Sequence, residues 1–213
     1  DENGWYSYDA IAPKLVAYLK ENGFTHVEMM PLSEHPADES WGYQTSHYFA
    51  PTSRFGEPDD LRYLIDRCHQ EGIGVIMDYV INHSAYQNPL FLDSKNKLND
   101  KRDWYIWKDH DPGWTNWDGS GSWHRSRPTR DYYYGVFWEQ MPDFNLKNPE
   151  VLAYHQDNLR YWLNAGVDGF RFDGVTSMLY FSHGLGEAFV GYGDYFNGHQ
   201  DDNAICYLTL ANK

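Results

Sequence analysis

The sequence predicts an α/β fold built on a parallel sheet covered by helices, and three observations carry that prediction. One grammar of helix, glycine and short apolar strand occurs three times, in ENGFTHVEMM, QEGIGVIMDY and NAGVDGFRFD. Those strands lack the alternation of apolar and polar residues expected of a sheet with one wet face. Their spacing leaves room for a crossover helix between successive strands, the connection that parallel pairing requires. A doubly wound sheet and a closed barrel both satisfy this grammar.

Residues 10–21 place apolar groups at helical spacing, and Asn22-Gly23 stop the helix before FTHVEMM, which reads as a buried strand ending at Pro31. A polar, aromatic loop follows, with His35, Trp41, Tyr43 and His47. Residues 58–71 form the second helix, closed by Glu71-Gly72 ahead of the strand GIGVIMDYV. The third helix, PEVLAYHQDNLRYWLNAG, leads into VDGFRFD. Between the last two units, about Ser84 to Lys147, lies an insertion far longer than the roughly 2–6 residues usual for such connections. It reads as a subdomain in which LFLDSKN, DWYIWKDH and DYYYGVFW supply short strands. The expected division is therefore 1–83, 84–147 and 148–213, the last ending in a glycine-rich aromatic loop and a helical NAICYLTLANK.

At 213 residues the chain can bury one sizeable core. A formal net charge of −14 argues against nucleic acid and anionic membrane surfaces as partners. No apolar run approaches the ~20 residues of a membrane helix. Cys68 and Cys206 are too few for a disulfide framework or a zinc cluster and are expected to be buried small residues. Aromatic residues are 18% of the chain, often beside Asp, Asn, Gly or His, a pairing that suits sugar faces as well as cores.

The chemistry gathers at strand ends. In an extended GFRFD, Arg171 and Asp173 share one face while Phe170 and Phe172 take the other. Two charges closing an apolar strand favour a polar rim, since burying them costs several kcal/mol. A carboxylate beside an arginine stays ionised, which suits a nucleophile or an electrostatic stabiliser. The plain alternative is a structural ion pair. Asp78 closes the preceding strand, with His83 just beyond in DYVINH, so acidic groups recur where barrel enzymes carry their sites. His35, His47 and His83 match no compact zinc spacing. Trp104, Trp107, Trp114 and Trp117 serve either as subdomain core or as sugar-stacking rings.

DYVINH at 78–83, MPDFN at 141–145 and GFRFDGV at 169–175 occur in the order and spacing of signature motifs, and through them the chain resembles the α-amylase superfamily of glycoside hydrolases and transglycosylases. The resemblance implies part of a (β/α)8 TIM barrel, about strands 2 to 4, with the long insertion after strand 3. It implies that Asp173 is the nucleophile forming a glycosyl-enzyme intermediate and that Arg171 orients it. Tyr43, in WGYQ, matches a ring that stacks on the sugar beside the cleaved bond. His83 matches a histidine touching that sugar, Asp78 an aspartate supporting the site, and Asn82 a ligand position of the calcium-dependent members.

Within the superfamily, the stretches beginning at His26 and at Gly169 resemble α-1,4-glucan branching enzymes, while DWYIWKD and YYYGVFWEQMPDFNLKNPEV resemble amylases and oligosaccharide hydrolases. The expected substrate is an α-1,4-glucan or maltooligosaccharide, with no cofactor; calcium enters only for an amylase-like member. A branching role implies the cytoplasm, whereas a hydrolytic one is compatible with secretion. A retaining mechanism needs a second carboxyl group ~5–5.5 Å from the first. The resemblance puts it on a fifth strand that these residues do not reach, and Glu187, Asp194, Asp201 and Asp202 are not expected to replace it. A catalytically incomplete barrel fragment or composite sequence is the remaining alternative.

Overall fold

The computed structural model describes residues 4–116, 118–127, 129–186, 191–196 and 198–212. In chain order the elements are α1 (Tyr8–Glu21), β1 (His26–Met29), β2 (Ser33–Glu34), β3 (His47–Pro51), α2 (Pro58–Gln70) and β4 (Gly74–Val80). Then come α3 (Pro89–Ser94), β5 (Trp107–Lys108), β6 (Trp123–Arg125), β7 (Tyr132–Tyr134) and α4 (Pro149–Asn164). The chain finishes with β8 (Gly169–Asp173), α5 (Val175–Met178) and α6 (Asp202–Ala211). It divides into two compact units, Asp1–Tyr79 with Asp157–Phe172, and Val80–Gln156 with Asp173–Lys213. These boundaries differ from the three segments read from the sequence.

In the first unit the sheet order is β1-β4-β8, and β1 pairs parallel with β4 from His26↔Gly74 to Met29↔Met77. Asp168 ties β8 to β4: its N–H donates to Val75 O at 2.8 Å, and its carboxylate accepts the Val75 N–H at 2.7 Å. Tyr8, Ala12, Val16 and Leu19 make the buried stripe of α1, and Leu61, Leu64, Ile65 and Cys68 that of α2. These stripes are the physical content of the helical spacing, and the two helices pack together. Each fully buried aliphatic side chain contributes roughly 1.5–3 kcal/mol of transfer free energy.

Only the central strand fits the buried reading. Val75, Met77 and Tyr79 of β4 are buried, whereas His26 and Glu28 of β1 are exposed and Val27 and Met29 only half-buried. Among the described residues the sheet has three strands, so β1 lies at an edge with incomplete cover. Tyr79 packs edge-on against Phe170 and Phe172, and the amide of Asn158 and the indole N–H of Trp162 both donate to the Tyr48 carbonyl.

The second unit holds an antiparallel sheet in the order β5-β7-β6, with Trp107↔Tyr133 and His124↔Tyr133 in register. Its interior is aromatic: Phe91 meets Tyr105 and Tyr133 edge-on, and Tyr105 stacks on Phe144. The expected strand at LFLDSKN is instead the helix α3. Asn88 caps it by accepting the Leu90 N–H, and Pro89 takes the first helical position, where no N–H is needed. The loop expected after Asp173 opens with the short helix α5. Cys68 is buried, but Cys206 is exposed on α6, contrary to expectation, and both are free thiols. Among the described residues no helix is long and apolar enough to cross a membrane.

Candidate active site

In the first unit the C-terminal ends of β4 and β8 bring three of the singled-out residues together. Asp78 is buried, with a side chain only 4% exposed. It accepts hydrogen bonds from the Tyr43 hydroxyl at 2.7 Å and from Arg171 Nη1 at 3.0 and 2.8 Å to its two oxygens. A carboxylate that deep needs such donors, because leaving it unpaired costs several kcal/mol. Asp78 therefore fixes the Tyr43 ring and the Arg171 guanidinium at once. The sequence reading put Arg171 beside Asp173 alone; the structure gives it Asp78 as a charge partner 93 positions away. Asp173 stands two positions beyond Arg171 at the end of β8 and is half-buried.

The second unit joins the DYVINH and MPDFN motifs. His83 and Asp143 form an antiparallel bridge, Phe144 N–H donates to Asn82 O, and Ser84 N–H donates to Pro142 O. Asp143, fully buried, accepts from the Asn82 amide at 3.1 Å and from the Val136 N–H at 3.2 Å. His183 Nδ1 lies 2.8 Å from the same carboxylate, within ion-pair range but off the angle of a hydrogen bond. His83 is buried and meets Phe137 edge-on at 5.2 Å. Gly174, at φ 67°, threads between Asn82 and Phe137, where an added Cβ would come within 3.3 Å of Asn82. A side chain there would be strained by conformation and by crowding together.

Asn82 also tests the calcium expectation. Its side-chain oxygen is buried without a hydrogen-bond partner. Calcium takes about 6–8 oxygen ligands, and the carboxylate nearest Asn82 is already occupied by two N–H donors and faced by an imidazole. Among the described residues no group of three His, Cys, Asp or Glu side chains could hold a metal. The residues present do not form a calcium cage around Asn82.

A cleft of about 710 Å³ in the second unit is lined by Phe137, Tyr192, Tyr195 and Phe196, with Thr176, Ser177 and Asp118 among its polar groups. Tyr192 and Phe196 are 80% and 69% exposed, so their rings offer open faces. Open rings edged by hydroxyl and carboxylate groups match a sugar's apolar faces and its hydroxyl rim.

The sequence profile described as the alpha amylase catalytic domain matches residues 1–197. The chain belongs to that family. Among its curated relatives are the 1,4-alpha-glucan branching enzymes GlgB of Marinobacter nauticus, 37% identical over 98% of this chain and 29% of its own length, and of Methylobacillus flagellatus, 40% identical over 96% and 25%. The chain thus spans between a quarter and a third of these relatives. Among solved structures, the trehalose-6-phosphate hydrolase of Bacillus licheniformis superposes with a TM-score of 0.83 at 27% identity, covering 99% of this chain and 38% of that one. A family GH13_31 enzyme gives 0.75 at 34% identity over 82% and 33%.

Three features of this amylase-family chain escaped the sequence reading. The contact of His183 with Asp143 spans 40 positions without periodicity, and the ring cleft was read as a glycine-rich aromatic loop with no site assigned to it. The third is the engagement of the spare carboxylates. Asp201 caps α6 by accepting the Asn203 N–H and lies 3.6 Å from Lys147, and Asp194 accepts the Gly191 N–H. Asp202 is exposed in the first turn of α6, and Glu187 lies outside the described residues. Of the four tryptophans, Trp104 is buried and donates to Glu150, while Trp107 stacks on Phe91 and has the Arg102 guanidinium over its ring. Trp114 is half-buried beside a cavity, and Trp117 lies outside the described residues.

Proposed function

We propose that this chain is the nucleophile-bearing part of a retaining α-glucan enzyme of the branching type. The observation that carries the reading is the Tyr43–Asp78–Arg171 trio: a ring, a buried carboxylate and a guanidinium locked together at the ends of adjacent strands, one of which ends in Asp173. In this reading β1, β4 and β8 are strands 2 to 4 of a (β/α)8 barrel, with 1–83 and 148–213 as barrel parts and 84–147 as the subdomain inserted after strand 3.

Asp173 attacks the anomeric carbon of an α-1,4 bond as the bond to the leaving glucan oxygen breaks, giving a glycosyl ester. Arg171 holds the carboxylate ionised and aimed, Tyr43 stacks on the donor sugar, and His83 contacts its hydroxyl. A 6-hydroxyl of an acceptor chain then displaces Asp173 and leaves an α-1,6 branch, with the aromatic cleft supporting glucan. A second carboxyl group protonates the leaving oxygen and takes the proton of the attacking 6-hydroxyl, a role that Asp194 and Asp201, engaged by backbone N–H groups, do not fill. No metal or cofactor takes part, and the protein acts in the cytoplasm. The relatives named as branching enzymes favour transfer. The structural likeness to a trehalose-6-phosphate hydrolase favours hydrolysis over transfer, and hydrolysis of an α-glucan is therefore the second reading, one compatible with secretion.

Grafting residues 1–213 in place of the matching segment of the Marinobacter nauticus enzyme and incubating the product with amylose separates the two. New α-1,6 linkages in the proton NMR spectrum support branching. New reducing ends without branches support hydrolysis, and neither product means that the chain is catalytically incomplete even in a whole-length setting.

A further inference from the structure

The second unit holds another cavity, of about 450 Å³, within the size range of small-molecule sites. One wall is aromatic: Trp114 and Trp123 meet edge-on at 5.6 Å, and Tyr134 lies 5.2 Å from Trp123. Over these rings stands Lys108, with its ammonium 5.4 Å from the Trp114 centroid and 5.6 Å from that of Trp123. Among the described residues Lys108 makes no ion pair with a carboxylate, and the adjacent Asp109 is paired with His110.

The opposite chemistry comes from Asp131. It is 5% exposed and lines the cavity, clamped by Arg102 at 2.6 Å and Lys97 at 2.8 Å. Burial pushes its carboxyl up, but these two cations outweigh burial and keep it below the usual carboxylate range. The four basic lining groups, Lys97, Arg102, Lys108 and Lys147, are matched by four aspartates. The lining is thus formally neutral in a chain of net charge −14. An anion would meet the aspartates and a cation the basic groups, whereas an uncharged ligand rich in hydroxyls can donate to one set and accept from the other. A ring face on Trp114 adds the apolar half of that recognition.

At the rim, Ser182 and His183 hold left-handed backbone angles, φ 51° and 54°, a costly conformation for residues other than glycine. Gly186 presses on the Trp114 edge so closely that an added Cβ would lie 2.7 Å from it. The loop that follows α5 is therefore shaped around this tryptophan.

We infer that this cavity is a second carbohydrate site that binds one end of a short neutral α-glucan, with Trp114 as platform and Lys108 and Asp131 as hydroxyl partners. The choice of an α-glucan rests on the proposed function; the neutral, hydroxyl-rich ligand class rests on the lining alone. Tyr180 and His183 line both this cavity and the aromatic cleft, so one oligosaccharide site adjoins the other.

The test is calorimetric titration of the 213-residue chain with maltotriose, alongside the exposed-site variant Lys108→Ala, the platform variant Trp114→Ala and the cleft double variant Tyr192→Ala/Phe196→Ala. Two binding events are expected in the parent chain. Lys108→Ala should weaken one of them severalfold and Trp114→Ala about tenfold, and the same losses should persist in the cleft double variant. Unchanged affinity and stoichiometry in a folded Lys108→Ala and a folded Trp114→Ala overturns the site while leaving the branching assay to judge the function. Trp114-dependent binding of cellotriose but not maltotriose supports the neutral-sugar cavity and counts against the α-glucan reading. Tighter binding of glucose 1-phosphate than of maltotriose, or no binding of any neutral trisaccharide, overturns the inference.

Discussion

The two units solve the same burial problem with different chemistry. The first covers a parallel sheet with helices whose buried residues recur at helical spacing, and it confines polarity to one deep carboxylate, Asp78. The second fills its interior with rings and sets Asp143 among an amide, a backbone N–H and an imidazole. Aliphatic stripes are periodic because a helix has one inward face, whereas rings meet by edge and face at separations unrelated to chain spacing. In both units a buried aspartate organises the polar groups, and Asp78 does so at the end of β4, beside the strand β8 that carries Arg171 and ends in Asp173.

The largest expected difference is catalytic. In the grafted protein, Asp173→Asn should lower amylose turnover at least ~1000-fold, as loss of a covalent nucleophile does; turnover within tenfold of the parent refutes the assignment. Asp143→Asn, of the same size and equally conservative, should act mainly on folding, so its surviving folded fraction should keep most of its activity per molecule. A loss comparable to that of Asp173→Asn would mean that Asp143 takes part in the chemistry and does not serve the fold alone.

Next come the cores. Trp162→Ala in the first unit and Phe144→Ala in the second each remove a fully buried ring and should cost about 3–5 kcal/mol. Urea unfolding measures both. If the cost of Phe144→Ala falls below about 1 kcal/mol, the ring cluster of the second unit is loosely packed and the comparison fails there.

Arg171→Met is smaller. It strips a buried carboxylate of its cation but leaves the Tyr43 hydroxyl in place, and the arginine side chain is 44% exposed. Discounted for that solvent screening, the expected loss is about 1–2 kcal/mol. Adding Asp78→Asn should recover part of it, since the uncompensated charge is then gone; a double variant less stable than Arg171→Met alone would show that Asp78 serves by shape and not by charge.

What the sequence made legible follows the same divide. The helix stripes, Gly23 and Gly72 at the helix ends, and the strands around Val75 and Phe172 are all local, because a few neighbours set each one. The burial of β1 was misread because an apolar run does not tell a central strand from an edge. LFLDSKN was misread because short apolar runs suit helix and strand alike, and the signal that decides lies outside the run, in Asn88-Pro89. Residue types and motif resemblance singled out Tyr43, Asp78 and Arg171, but nothing local announced that one carboxylate would bind the other two. The approach of His183 to Asp143 needed the fold itself.

Acid provides the gentlest test, because the group that answers it first differs between the units. His155 is buried against Phe144, and burial holds its imidazole down at about 3, from 6.5. Glu34 is pushed up by burial, but hydrogen bonds from the N–H groups of Ser53 and His35 and the Ser53 hydroxyl, together with the Arg54 charge, outweigh this and hold it at about 2, from 4.5. Both folded values are depressed, so in both cases the unfolded chain binds a proton first and stability falls as pH falls. The windows differ: the His155 contribution is complete above pH 6.5 and declines towards 3, while that of Glu34 is complete above 4.5 and declines towards 2. The slope within either window is at most about 1.4 kcal/mol per pH unit. The hydrogen-exchange protection of Phe144 and its neighbours, taken relative to the intrinsic amide rate at each pH, should therefore fall between pH 6 and 5, with that of segments around Glu34 unchanged until below 4.5. His155→Phe should flatten the first response and leave the second intact. A simultaneous fall of protection in both segments at pH 5 would mean that they open together and that His155 controls the stability of both.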